Sequence, residues 1–182
     1  MKSELDLTLW LDKTLVQRQN QLKIEFLDLF EQLGNSVASE ELTHFFSKSK
    51  GKKISKGNQL LGFPYLVLDL IRAFDLEYGC NIRFVSWFGH GLYCCVFLGK
   101  QLPQPDRLFT ENGFLLGRND LPWDLAAQVT WIQTCKTIPD YPQNQGEAKL
   151  WIKEISLVRN QENCLQILKD ELKKILQANP AE

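Results

Sequence analysis

Residues 81–100 read NIRFVSWFGHGLYCCVFLGK, and this stretch constrains the fold more than any other. Val, Ile, Phe, Trp and Tyr fill two runs on either side of Gly89-His90-Gly91, the composition of paired strands around a tight turn. A three-residue hairpin loop usually needs one position at positive φ, and Gly91 supplies it without steric cost. In that register Phe88 faces Leu92, Ser86 faces Cys94, Phe84 faces Val96 and Ile82 faces Leu98, and this face belongs to the core. The opposite face carries Arg83, Val85 and Trp87 against Phe97, Cys95 and Tyr93. A hairpin with one wet side alternates apolar and polar residues. Here both sides are apolar, so both must be covered. The N- and C-terminal helices can cover one. The other calls for the second helix, a subunit partner or a bound apolar ligand.

Helices are expected on both sides of this hairpin in the chain. Leu22, Phe26, Leu29 and Leu33 recur at helical steps within a segment running from Ser3 to Leu33, with a break near Gln17 to Gln21 and a stop at Gly34-Asn35. Ser3 is the expected cap. A shorter helix follows Ser39, which caps Glu40 and Glu41 at the positive end of the dipole. The run GFPYLVLDL reads as a strand with Pro64 near its start. After the hairpin, LPQPDRLFTENG is loop-like and FLLG a short strand. Asp120 and Pro122 mark a helix start for PWDLAAQ, whereas VTWIQTC is equally compatible with a strand. IPDYPQNQG is a loop, and LWIKEISL reads as a strand by its β-branched and aromatic content, with a helix as the alternative. In NQENCLQILKDELKKILQ, Leu165, Leu168, Leu172 and Ile175 line one helix face, with Asp170 and Lys174 paired on the other. The layout is an α+β domain over residues 1–182. A mainly antiparallel sheet around the hairpin (82–98) packs against N-terminal helices and a C-terminal helix.

Charge narrows the classes of partner. The chain has 21 basic and 22 acidic residues, a net charge of -1, so no global field draws it to nucleic acid or anionic lipid. Acidic residues interrupt the apolar start MKSELDLTLWLDKTL, which is unlike a signal peptide. The longest apolar run, LLGFPYLVLDLI, falls short of the about 20 residues a bilayer needs. Five cysteines, an odd number with no CxxC pair, suggest reduced, buried thiols in a cytoplasmic protein and no metal site.

Two surfaces carry candidate chemistry. On the second hairpin face, Arg83, Trp87, Tyr93 and Phe97 stand together, and Trp123 or Trp131 could approach them. Such a group suits a small organic anion with Arg83 as its anchor. It suits equally a homodimer interface, or plain core packing with Arg83 paired to Asp69, Asp75 or Glu77. In SKSKGKKISKG, Lys48, Lys50, Lys52, Lys53 and Lys56 stand without an acid, a pattern for gripping phosphates or for a solvated linker. Gly57 and Gly62 have P-loop spacing, but Phe63 and Pro64 replace the lysine and hydroxyl that motif requires. No aromatic residue is interleaved with the lysines, which disfavours single-stranded nucleic acid.

His90 is expected at the bend, facing solvent, and His44 sits in a helix; neither has a neighbouring catalytic partner in sequence. Cys94 and Cys95, adjacent on a strand, point to opposite faces and cannot chelate one ion together. GxSxG, HExxH and HxE with PCxxC are absent, and GRND (117–120) and GFPYLVLD (62–69) suggest no reaction. Asp69 at a strand end has the chemistry of a general base or metal carboxylate but no second ligand beside it in sequence. The expectation is a non-enzymatic binding or protein-interaction module using the apolar hairpin face, without cofactor. A small-ligand protein or enzyme built on Arg83 is the alternative, and phosphate or nucleic-acid binding through the lysine segment comes third.

Overall fold

The computed structural model describes residues 4–117, 123–134 and 147–177. It is an α+β fold. Helix α1 (Leu7–Trp10), α2 (Lys13–Ser36) and α3 (Ser39–Phe45) precede strands β1 (Lys53–Leu60), β2 (Phe63–Arg72), β3 (Cys80–Trp87) and β4 (Gly91–Leu98). Helix α4 (Asp106–Glu111), β5 (Leu115–Leu116), α5 (Leu125–Thr134), β6 (Lys149–Ile155) and α6 (Gln161–Leu176) follow. The six strands form one sheet in the order β1-β2-β3-β4-β6-β5, with every neighbouring pair antiparallel. None of the described helices is long and apolar enough to cross a membrane.

The strands expected at GFPYLVLDL, the hairpin, FLLG and LWIKEISL are all present. The hairpin closes two residues away from the expected register: Trp87 faces Gly91, Phe84 faces Cys94 and Ile82 faces Val96. Phe88-Gly89-His90 is the loop. The His90 amide bonds to the Trp87 carbonyl (3.0 Å), and Gly89 takes φ 81°, the value a type II turn needs at its third position. A slip of two residues restores the same alternation, so each side chain keeps its expected face. The neighbouring β1–β2 turn places Leu61 and Gly62 both at positive φ, 49° and 82°, the twist that suits a two-residue hairpin.

The helices depart from expectation at their ends. The N-terminal break falls at Leu11-Asp12, because two aspartates each start a helix: Asp6 accepts the Leu9 amide (2.9 Å) and Asp12 the Leu15 amide (2.8 Å). The expected Ser3 cap lies outside the described residues. Helix α2 runs through Gly34-Asn35 to Ser36. Ala38, not Ser39, is the N-cap of α3, and Ser39 is already helical. A helix, α4, forms in the expected loop; Pro105 precedes it, where a missing amide proton costs nothing. VTWIQT belongs to α5, whose start is marked by Asp124 accepting the Ala127 amide (3.0 Å). Asp120, Pro122 and the loop expected at 138–146 lie outside the described residues. On α6, Lys174 pairs with Glu171 (2.8 Å) rather than Asp170, which accepts from Gln166 (2.9 Å).

Both sheet faces are covered. On one, Leu29, Phe30 and Leu33 of α2 and Leu168, Leu172 and Ile175 of α6 close over Leu68, Ile82, Phe84 and Val96. On the other, Val129 and Ile132 of α5 join Trp87, Tyr93, Phe97 and Ile152. The N-terminal part of α2 lies beyond this body: the buried residues of the helix begin at Leu29.

Candidate functional site

The aromatic face forms as a unit. Arg83, Val85 and Trp87 lie opposite Cys95, Tyr93 and Gly91, and Phe97 lies opposite Asn81. Trp87 is 2% exposed, and Tyr93 and Phe97 are fully buried. Their cover is the chain's own α5, the segment that sequence could not assign to helix or strand. Trp123 joins the cluster, its ring 4.5 Å from that of Phe97. Trp131 instead donates to the Leu116 carbonyl at the sheet edge (3.3 Å). Polar atoms within the cluster are bonded inside the chain: Trp87 Nε1 donates to Leu60 O (3.1 Å), Tyr93 Oη to His90 O (3.0 Å) and Gln133 Nε2 to Tyr93 Oη (3.2 Å).

Arg83 stands at the margin of this face and is occupied. Its Nε and Nη2 both lie 3.0 Å from Asp69 Oδ1. Asn81 Nδ2 reaches the same oxygen (3.0 Å) and the Ile71 carbonyl (2.7 Å), tying the cluster to the irregularity where β2 shifts register between Asp69 and Ile71. The guanidinium lies 5.3 Å from the Phe74 ring centre. Of the three acids expected as its partner, Asp69 takes the role. The space beside Arg83, bounded by Cys95, Trp123 and Gln128, is about 20 Å³. That is room for about one water molecule, whereas ligand pockets span roughly 300–1,000 Å³.

The lysines divide among separate tasks. Lys52 donates to the Gly34 and Val37 carbonyls (2.8 and 3.1 Å), capping the C-terminus of α2. Lys48 sits 5.6 Å from the Tyr78 ring centre. The backbone of Lys50 pairs with Arg72, whose guanidinium also bonds the Lys50 and Gly51 carbonyls. Lys53 and Lys56 lie on β1, an exposed edge strand where charge discourages pairing with another sheet. The expected loop is therefore a strand from Lys53 onward: pairing with the apolar β2 imposes on KISKGNQL a conformation its own composition does not announce.

His90 is half-buried rather than facing solvent, stacked on Trp87 and edge-on to Phe63. His44 is exposed on α3. Cys94 and Cys95 are both buried, on opposite faces, and no disulfide involves the four described cysteines. Burial pushes the Cys80 and Cys95 thiols up to about 12 and Cys94 well above its ordinary value, the opposite of what a reactive thiolate requires. Among the described residues no three His, Cys, Asp or Glu side chains gather as a metal site.

Sequence reasoning did not find the open surface at the N-terminus. Leu5 (84% exposed), Leu7, Leu9, Trp10 (74% exposed) and Leu11 surround α1, none of whose residues is buried. Val16, Leu22 and Ile24 continue the exposure along α2. Two grooves flank that helix. One, about 290 Å³, lies between Ile24, Leu27 and the β1–β2 strands, and the other, about 260 Å³, lies between Leu22, Phe26, Leu29, Leu157 and Val158. The signal was present in sequence: Leu5, Leu7, Leu9 and Leu11 alternate where helix was expected, so one helix face cannot hold them all. Comparison of the chain with family models, curated proteins and solved structures finds no match.

Proposed function

We propose that this chain is a non-enzymatic protein-interaction module whose working surface is the N-terminal helical overhang. One observation carries the reading. Eight large apolar side chains between Leu5 and Ile24 are exposed, while the aromatic hairpin face lies buried beneath α5. Large apolar side chains exposed in this number along one segment mark an interaction surface, whereas single scattered ones are ordinary. The ligand readings draw less support, because Arg83 is held by Asp69 and Lys52 by helix carbonyls. We place the module in the cytoplasm as one domain, a reading supported by four free, buried thiols.

In-cell photocrosslinking tests this. A photoreactive residue at Trp10 is expected to capture a protein, either this chain or another, and Leu9→Glu with Leu11→Glu to abolish capture. The same probe at Lys173, exposed on α6, serves as control. Equal capture from both positions would remove the reading.

A further inference from the structure

Resting on that reading, we infer that the partner of the overhang is a second copy of this chain, bound through antiparallel pairing of the two α2 helices about Leu22. The argument begins with the charges along α2. From Lys13 to Ile24 they are Lys13, Arg18 and Lys23, all basic; from Glu25 to Ser36 they are Glu25, Asp28 and Glu31, all acidic. A helix dipole favours the reverse, with acids near the N-terminus and bases near the C-terminus. The layout therefore works against the helix that carries it. Groups outside the helical run serve its ends: Asp12 caps the first turn and the Lys52 ammonium the last carbonyls. None of the six charged side chains takes part in an ion pair among the described residues.

Antiparallel pairing gives this layout a use. It sets Lys13 and Arg18 of each helix toward the acidic half of the other, whereas parallel pairing would set like against like. Leu22 marks the crossing point. Arg18 precedes it by four residues and Glu25 follows it by three, so both adjoin it on the helix surface. A two-fold axis at Leu22 brings Arg18 of each copy to Glu25 of the other, making the contact twice. Shape agrees with charge. Leu15 and Leu22 extend the stripe that Phe26, Leu29 and Leu33 bury against the body, and the groove beside Leu22 is open to receive Leu22 of the second copy. With the axis at Leu22, Lys13 of one helix comes level with Glu31 of the other, and the contact centres on residues 18–25, short of the turns that each α2 buries against its own sheet.

Sedimentation equilibrium of the full chain tests the inference with charge swaps. Wild type is expected to dimerise, and Arg18→Glu or Glu25→Arg alone to raise the dimer Kd by about tenfold or more, since each replaces two attractions with two repulsions. An equimolar mixture of the two variants is expected to associate like wild type, because the swapped charges become complementary. That rescue also excludes misfolding as the cause of any loss. A wild-type chain that stays monomeric at about 100 μM, well above the Kd of a specific dimer, would overturn the inference. So would swaps without effect, or a mixture that does not recover. A monomeric chain whose Trp10 probe captures a different protein would defeat the second copy and leave the interaction reading standing; absence of any capture would defeat the interaction reading itself.

Discussion

The imidazole of His90 lies flat on the indole of Trp87, with ring centroids 3.7 Å apart and planes 5° from parallel. The turn itself produces the contact: Gly89 at positive φ folds the last loop residue back over the strand it has just left. Phe63 closes the other side edge-on at 4.7 Å, so two hairpin tips meet through this ring. A stacked aromatic pair is worth about 0.5–1.5 kcal/mol beyond its buried area. His90→Ala should therefore lower stability in urea by about 1 kcal/mol, and His90→Phe should retain most of it. Wild-type stability in the alanine variant would show that the stack contributes nothing.

Lys52 gives a second stability test, one that separates it from its neighbours in sequence. Its ammonium satisfies two carbonyls at the end of α2, where a cation also meets the negative end of the dipole. Lys52→Met keeps the stem and removes the charge, and should cost about 1 kcal/mol. Lys53→Met, on the exposed edge of β1, should fall within about 0.5 kcal/mol of wild type. Equal losses in chemical denaturation would mean that the capping bonds do not matter.

Asp69 holds a heavier responsibility. It is buried, and one of its oxygens accepts from both Arg83 and Asn81. Asp69→Ala leaves a guanidinium with one-fifth of its side chain exposed and an amide short of one acceptor. Breaking such a pair from one side costs about 3 kcal/mol, somewhat less where water reaches the cation. The double variant Asp69→Ala with Arg83→Met should recover part of the loss, since no unpaired charge then remains. A single variant within about 0.5 kcal/mol of wild type would contradict this account.

These residues also show what was legible in the sequence. The four strands rich in Val, Ile, Leu and aromatics declare themselves, as does α6 with its leucine stripe, because local composition and tertiary burial agree there. The shared face of Arg83, Trp87, Tyr93 and Phe97 follows from a period of two. Its cover does not: α5 contains β-branched and aromatic residues that fit either secondary structure, and packing on the sheet decides the matter. Likewise β1 reads as a lysine loop until β2 lies beside it. At the N-terminus the leucines are plain to see, but which of them water reaches depends on where the body ends.

The buried thiols make the last prediction, a dependence on alkaline pH. Unfolded cysteine loses its proton near pH 8.5, whereas burial holds Cys80 and Cys95 protonated up to about 12 and Cys94 beyond its ordinary range. Between these limits the unfolded chain binds fewer protons than the native one, so stability falls as pH rises. The contribution is complete below about pH 8.5 and disappears through the folded values. Tyr93, raised first by burial and then by the Glu154 charge, adds to the fall at higher pH. Lysine titration also weakens proteins in alkali, so the slope alone is ambiguous. Cys95→Ala resolves it: urea unfolding at pH 7.5, 9 and 10 should give a shallower decline than wild type. The same burial predicts that Cys80, Cys94 and Cys95 resist alkylation at pH 7.5 until denaturant unfolds the chain, as peptide mapping by mass spectrometry can follow. A native chain alkylated at any of the three as fast as a free thiol would place that sulfur in water and remove the cause assigned to the shift.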